Sequence, residues 1–99
     1  MAKYVFSYRV PQDFVPAGPE TMGAWQGWLE GMGGQLADFG QAVIETSAIG
    51  EVSEGTRLAG YSVVEADDME AALTLAKGCP ALQVGGGVEV GAAMQAPTQ

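Results

Sequence analysis

The stretch Leu58-Ala-Gly-Tyr-Ser-Val-Val-Glu-Ala-Asp-Asp-Met-Glu-Ala-Ala-Leu-Thr-Leu-Ala-Lys-Gly-Cys-Pro80 decides the fold. Leu58 to Ala66 alternates in character and is rich in β-branched and aromatic residues, so it reads as a strand. Its faces are Leu58, Gly60, Ser62 and Val64 on one side, and Ala59, Tyr61, Val63 and Glu65 on the other. Asp67 is placed to cap a helix, with Glu70 three positions on as in a capping box. Met69, Ala72, Leu73 and Ala76 form that helix's apolar stripe. Lys77 suits its C-terminus, Gly78 a left-handed cap, and Pro80 prevents continuation. Val88 to Val90 then reads as another strand, reached through Gly85-Gly86-Gly87.

Upstream, Lys3 to Val10 alternates Tyr4, Phe6 and Tyr8 against Val5, Ser7 and Arg9, the pattern of a first strand. Its short apolar run, broken at Arg9, does not resemble a signal peptide. Pro11, Pro16 and Gly18 frame a stiff loop whose Phe14 and Val15 can fold over a neighbouring cavity. Pro19 suits the first position of a helix. Met22, Trp25, Leu29, Met32 and Leu36 continue it as one apolar face, and Gly40 is its expected stop. Gly23, Gly27, Gly31 and Gly34 share the opposite face, which weakens the helix unless a second subunit or a loop packs there. Ala42 to Ile49 is the expected second strand and Gly50 to Thr56 a polar turn.

The resulting order, β-α-β-β-α-β, predicts an α+β ferredoxin-like sandwich with sheet order 4-1-3-2 and both helices on one face. One domain spans residues 1–91, with 92–99 a flexible tail. The remaining sheet face is apolar enough to predict a homodimer, two sheets face to face.

Composition narrows the chemistry. With 12 acids against 4 bases the net charge is -8, and four scattered cations cannot neutralise a phosphate backbone. Nucleic acid is therefore excluded as a partner. No segment has the length of a membrane span, and a single cysteine builds no disulfide framework, so a reducing cytoplasm is the expected setting. The absence of histidine removes Ser-His-Asp and Cys-His catalysis and the commonest metal ligand. No metal or cofactor site is expected. Gly85-Gly86-Gly87 precedes a strand and lacks a following Lys, which makes it a turn rather than a phosphate loop. Cys79 follows a helix C-terminus, where a thiolate is disfavoured, and reads as a small structural residue.

Two groups of residues remain as candidates for a site. Glu65 and Glu89 lie in strands, and sheet order brings Arg9 between them, either as rim ion pairs or as a pocket carboxylate acting as general base. Trp28, Met32 and Tyr61 can line a sheet–helix cavity with Arg9 as its polar group, suited to a small aromatic or carboxylate ligand.

The block Gly60 to Ala72, with Ala76-Lys77-Gly78-Cys79-Pro80 and Val88-Glu89-Val90, resembles the YCII-related family, in particular its subgroup named for an Asp-Gly-Pro-Phe motif. The resemblance runs from Tyr4 to Val90 and is most specific after Gly60. It implies a ferredoxin-like fold assembled as a dimeric α+β barrel, a group that includes muconolactone isomerases and cofactor-free monooxygenases. The Asp-Gly-Pro-Phe motif itself is absent, its turn replaced by Gly50-Glu51-Val52-Ser53-Glu54-Gly55. The His–Asp pair attributed to some members has no histidine here, so no catalytic residue is carried over. The expectation is a protein binding a small organic molecule in a sheet–helix pocket. If it is catalytic, it is a cofactor-free isomerase, lyase or oxygenase. The alternative is a non-catalytic dimeric interaction or regulatory module.

Overall fold

Alternation of buried Tyr4, Phe6, Tyr8 and Val10 with more exposed Lys3, Val5, Ser7 and Arg9 makes β1 (Ala2–Pro11) the spine of the molecule. The computed structural model describes residues 2–15, 19–52 and 54–94, with residues 19 and 20 described by backbone alone. Along the chain, β1 is followed by α1 (Pro19–Gly31), β2 (Leu36–Ala42), β3 (Thr56–Ala66), α2 (Met69–Ala76) and β4 (Gly87–Ala92). The result is a small α+β domain with one four-stranded sheet ordered β2-β3-β1-β4, every neighbouring pair antiparallel. Both helices lie on one face, because Leu29 from the first, with Met32 just after it, and Ala72 and Ala76 from the second join the same core as Phe6 and Val64.

Local chemistry places several boundaries differently from the sequence reading. The helix stops at Gly31, and Gly33 takes a positive φ of 54° within a short 3-10 turn over Gly33–Gln35. Leu36, expected on the helix, therefore opens β2 instead, opposite Val64. Gly40 is not the helix stop. It lies within β2 with φ 79°, where an added Cβ would overlap the Tyr61 carbonyl oxygen. The expected strand from Ala42 to Ile49 is displaced to Leu36–Ala42, and pairing fades after the Val43 N–H bonds the Ala59 carbonyl.

In α2 the cap is Asp68 rather than Asp67, its carboxylate accepting the Ala71 N–H at 2.9 Å. This turns the helix so that Ala72 and Ala76 are buried and Leu73 is exposed. Gly78 is not a left-handed cap. Its glycine leaves room for the Trp28 indole, whose atoms would lie 2.9 Å from an added Cβ. Gly85 supplies the left-handed residue before β4. The last strand runs on to Ala92, and Ala93 N–H donates to the Lys3 carbonyl. Residues 16–18, expected in the stiff loop, residue 53 in the Gly50–Thr56 turn and residues 95–99 of the expected tail lie outside the described residues.

Nothing in the described chain comes within 4 Å of a Cβ built at Gly23, Gly27, Gly31 or Gly34, so no described loop packs on that stripe. Gly27→Ala is accordingly expected to raise stability by about 1 kcal/mol, the glycine cost in an exposed helix. Urea unfolding checks this. A loss of stability, or a change of oligomeric state in light scattering, would show that a second subunit meets the stripe.

Candidate functional site

The sheet carries large residues toward the helices on β1 and small ones on β2 and β3. Opposite Tyr8 and Phe6 stand Gly60 and Ser62, and Gly60 in turn pairs with Ala42. Helix α1 lies over this step. Trp25 and Trp28 meet Tyr8 edge-on, with ring centroids at 4.7 and 5.6 Å, and Trp28 stacks on Phe6 at 6.1 Å. Beyond Tyr8 the small side chains leave an apolar cleft of about 640 Å³ between α1 and residues 39–44. Trp25 and Leu29 line it from the helix, Phe14 from the loop, and Tyr8 and Val10 from β1. Phe14 is packed against the core as expected, whereas Val15 points to solvent.

The polar features of the cleft are few. Tyr8 is only 4% exposed, and its hydroxyl is buried with no well-formed hydrogen bond. Ser62 lies near it; the Ser62 hydroxyl donates to the Phe39 carbonyl at 2.7 Å and keeps its oxygen as an acceptor. Burial pushes the Tyr8 phenol up to about 12, with a hydrogen bond to Ser62 pulling the other way, so it remains a neutral donor and acceptor. Arg57 lines the cleft at its loop end and donates to the Phe14 carbonyl at 3.0 Å.

A bulge puts Arg57 there. Tyr8 pairs with Gly60 but Arg9 pairs with Leu58, so Ala59 is the extra residue of β3. The phase of the strand changes at that point. Leu58, expected to share the face of Gly60 and Ser62, instead lies beside Arg9 on the opposite face. Arg57 lies beside buried Val10 on the helix face.

The expected cavity is therefore split. Trp28 and Met32 are on the helix side, but neither borders the cleft: Met32 is buried in the core, and Trp28 Nε1–H donates to the Leu75 carbonyl at 3.1 Å. Arg9, Tyr61, Glu65 and Glu89 belong to the other sheet face, opposite or beside Ser7 and Val5. Tyr61 borders the cleft from β3, while its register with Ser7 sets its ring on that other face. Arg9 bonds Thr56, Nε to Oγ1 at 2.9 Å and Nη2 to the carbonyl at 3.3 Å, and neither glutamate. Glu65 is opposite Lys3, six positions along β1 from Arg9 and thus about 20 Å away, which rules out the expected contact. Glu89 is exposed opposite Ser7. Neither glutamate lines the cleft.

Cys79 is buried and free, and burial, more than any partner, pushes its thiol up, in keeping with a structural role. Among the described residues no cluster of His, Cys, Asp or Glu can hold a metal ion, and no helix is long and apolar enough to cross a membrane. A further depression of about 690 Å³ lies between Gln12 and the turn carrying Glu51 and Glu54, formed by exposed residues with no buried polar group.

No family model, curated protein or solved structure matches the chain. Its site is therefore argued from its own residues. Those that sequence reasoning missed are Tyr8, counted among core aromatics, and Arg57. The signal for Arg57 was its position as one of only four cations at the start of a strand, but its face depends on a bulge that alternation does not reveal.

Proposed function

We propose that this protein binds a small organic molecule in the cleft between α1 and the β2 side of the sheet. One observation carries the reading: an apolar cleft of about 640 Å³ is walled by Tyr8, Phe14, Trp25 and Leu29 and has Arg57 as its one charged lining residue among those described. A small apolar molecule seated there removes that surface from water, which favours binding. Binding is favoured over acid–base catalysis, because among the described residues no carboxylate, thiol or histidine lines the cleft, and burial holds Tyr8 neutral. Should the cleft turn over its ligand, a cofactor-free isomerase, lyase or oxygenase is the class in keeping with the family resemblance. We extend the proposal to a YCII-like protein of the cytoplasm, with a ferredoxin-like sandwich paired as a dimeric α+β barrel. The sheet order is compatible with that fold, and Val5, Tyr61 and Val63 on the open face give the pairing an apolar surface.

The test uses Nile red, a neutral apolar dye, and the intrinsic tryptophan fluorescence. Saturable uptake with a change in tryptophan emission is expected; its absence would remove the binding reading. Tyr8→Phe is expected to stabilise the empty protein by about 1 kcal/mol, raising Tm by about 4–8 °C for a domain of this size. A lower Tm would mean that the hydroxyl has an internal partner, with Ser62 beside it.

The interaction reading has its own observation. Ile44 and Ile49 are 94% and 98% exposed on the unpaired stretch after β2. A second copy covering them would make the dimer surface the functional part. Light scattering over a range of concentrations decides it, since a persistent monomer excludes both the barrel and this module.

A further inference from the structure

Resting on the cleft as a binding site, we infer that its ligand is an organic anion, a small carboxylate whose charged end is held by Arg57 and whose apolar body lies along Trp25 toward Tyr8. Three features of the chain converge on this. The protein is strongly acidic, with 12 acids and a net charge of -8, yet among the described residues no Asp or Glu lines the cleft. Arg57 is its one charged lining residue among those described. The nearest described carboxylates, Glu30 and Asp38, bond to the lining residues Gln26 and Gly40 from outside the cleft, so the charged group a ligand in the cleft meets directly is the guanidinium, which favours an anion.

Arg57 is also under-used. It is half-buried, and its one hydrogen bond runs from Nη2 to the Phe14 carbonyl. It has no carboxylate partner among the described residues. A guanidinium has five N–H donors in a planar fork that matches a carboxylate with two parallel hydrogen bonds. The bulge at Ala59 is what delivers it, as regular alternation would send this side chain to the opposite face.

The same register sets the size of the ligand. Arg57 stands opposite Val10, and Tyr8 is two residues along β1, about 7 Å away. A carboxylate on a short chain bearing one ring matches that spacing along the strand.

Matched pairs test the charge without altering the protein. Binding of 3-phenylpropionate and 4-hydroxyphenylacetate, and of the amide of each, is measured by titration calorimetry and tryptophan fluorescence. Each acid is expected to bind at least about tenfold more tightly than its amide, the effect of a charged hydrogen bond, and to weaken as salt rises. Arg57→Gln should bring acid and amide to the same affinity, while Arg57→Lys, which keeps the charge but loses the fork, should retain part of the difference. Circular dichroism confirms that both variants fold. If the amides bind as well as the acids, or the preference survives in Arg57→Gln, the anion assignment is overturned while the cleft remains a binding site. If neither acids, amides nor Nile red bind, both readings fall together.

Discussion

Phe6→Ala is expected to cost about 3–5 kcal/mol, a large share of the 5–15 kcal/mol that holds a domain of this kind together. Phe6 has no exposed surface and sits at the middle of β1, opposite Ser62 on one neighbouring strand and Val90 on the other. Its ring stacks on Trp28. Trp28 cannot sink into the space an alanine would leave, because its Nε1–H is tied to the Leu75 carbonyl at the end of α2 and it already leans on Tyr8 and Trp25. The site therefore relaxes little, which places the cost at the upper end of the range for large-to-small changes. The loss also reaches both helices, since Phe6 is where α1 contacts the central strand. Urea unfolding followed by far-ultraviolet circular dichroism measures it. A loss below about 1 kcal/mol would mean that the core can repack around Trp28 and that the packing described for it is wrong.

The same region shows which parts of this architecture are legible in the residues. β1 and β3 are, because their alternation is set by one buried face and needs no knowledge of partners. α2 is legible to within a residue at its cap, where Asp67 and Asp68 offer the same chemistry and only backbone geometry selects the second. β2 is not. Leu36 falls at helical spacing from Met32, and Leu-Ala-Asp-Phe-Gly-Gln-Ala has weak strand propensity, so the segment is a strand only because β3 pairs with it. Val43 to Ile49 has the better strand composition but loses its partner where the bulge at Ala59 turns β3 aside. The candidate site suffered from the same feature. Aromatic residues around α1 pointed to the correct face, but one extra residue in β3 exchanges Leu58 for Arg57 on it, and no periodicity reports an insertion of that kind. Arg9 does not line the cleft, because odd positions of β1 face away from the helices.

Gly40→Ala is expected to be the most damaging of the conservative changes, with a cost of at least about 3 kcal/mol and loss of ligand uptake in the cleft. A left-handed conformation alone costs a residue with a side chain about 1–2 kcal/mol. Gly40 has φ 79°, and its added methyl would also overlap the carbonyl of Tyr61, which is backbone and cannot rotate away. The strand is pinned on both sides of that contact. Asp38 Oδ1 accepts the Gly40 N–H at 2.9 Å, and the buried Ser62 hydroxyl donates to the Phe39 carbonyl. Relief of the overlap requires β2 to part from β3, which leaves the Ser62 hydroxyl unpaired in the core and adds its desolvation cost. Residues 39–44 are one wall of the cleft, so the parting also opens the site. Gly27→Ala is the same chemical change on an open helix face and is expected to move stability the opposite way. Urea midpoints and Nile red uptake of the two variants therefore form a matched test. Equal stability of the two proteins would show that the β2 bulge yields without loss, and that the cleft wall is not held as the Asp38, Phe39 and Ser62 contacts describe.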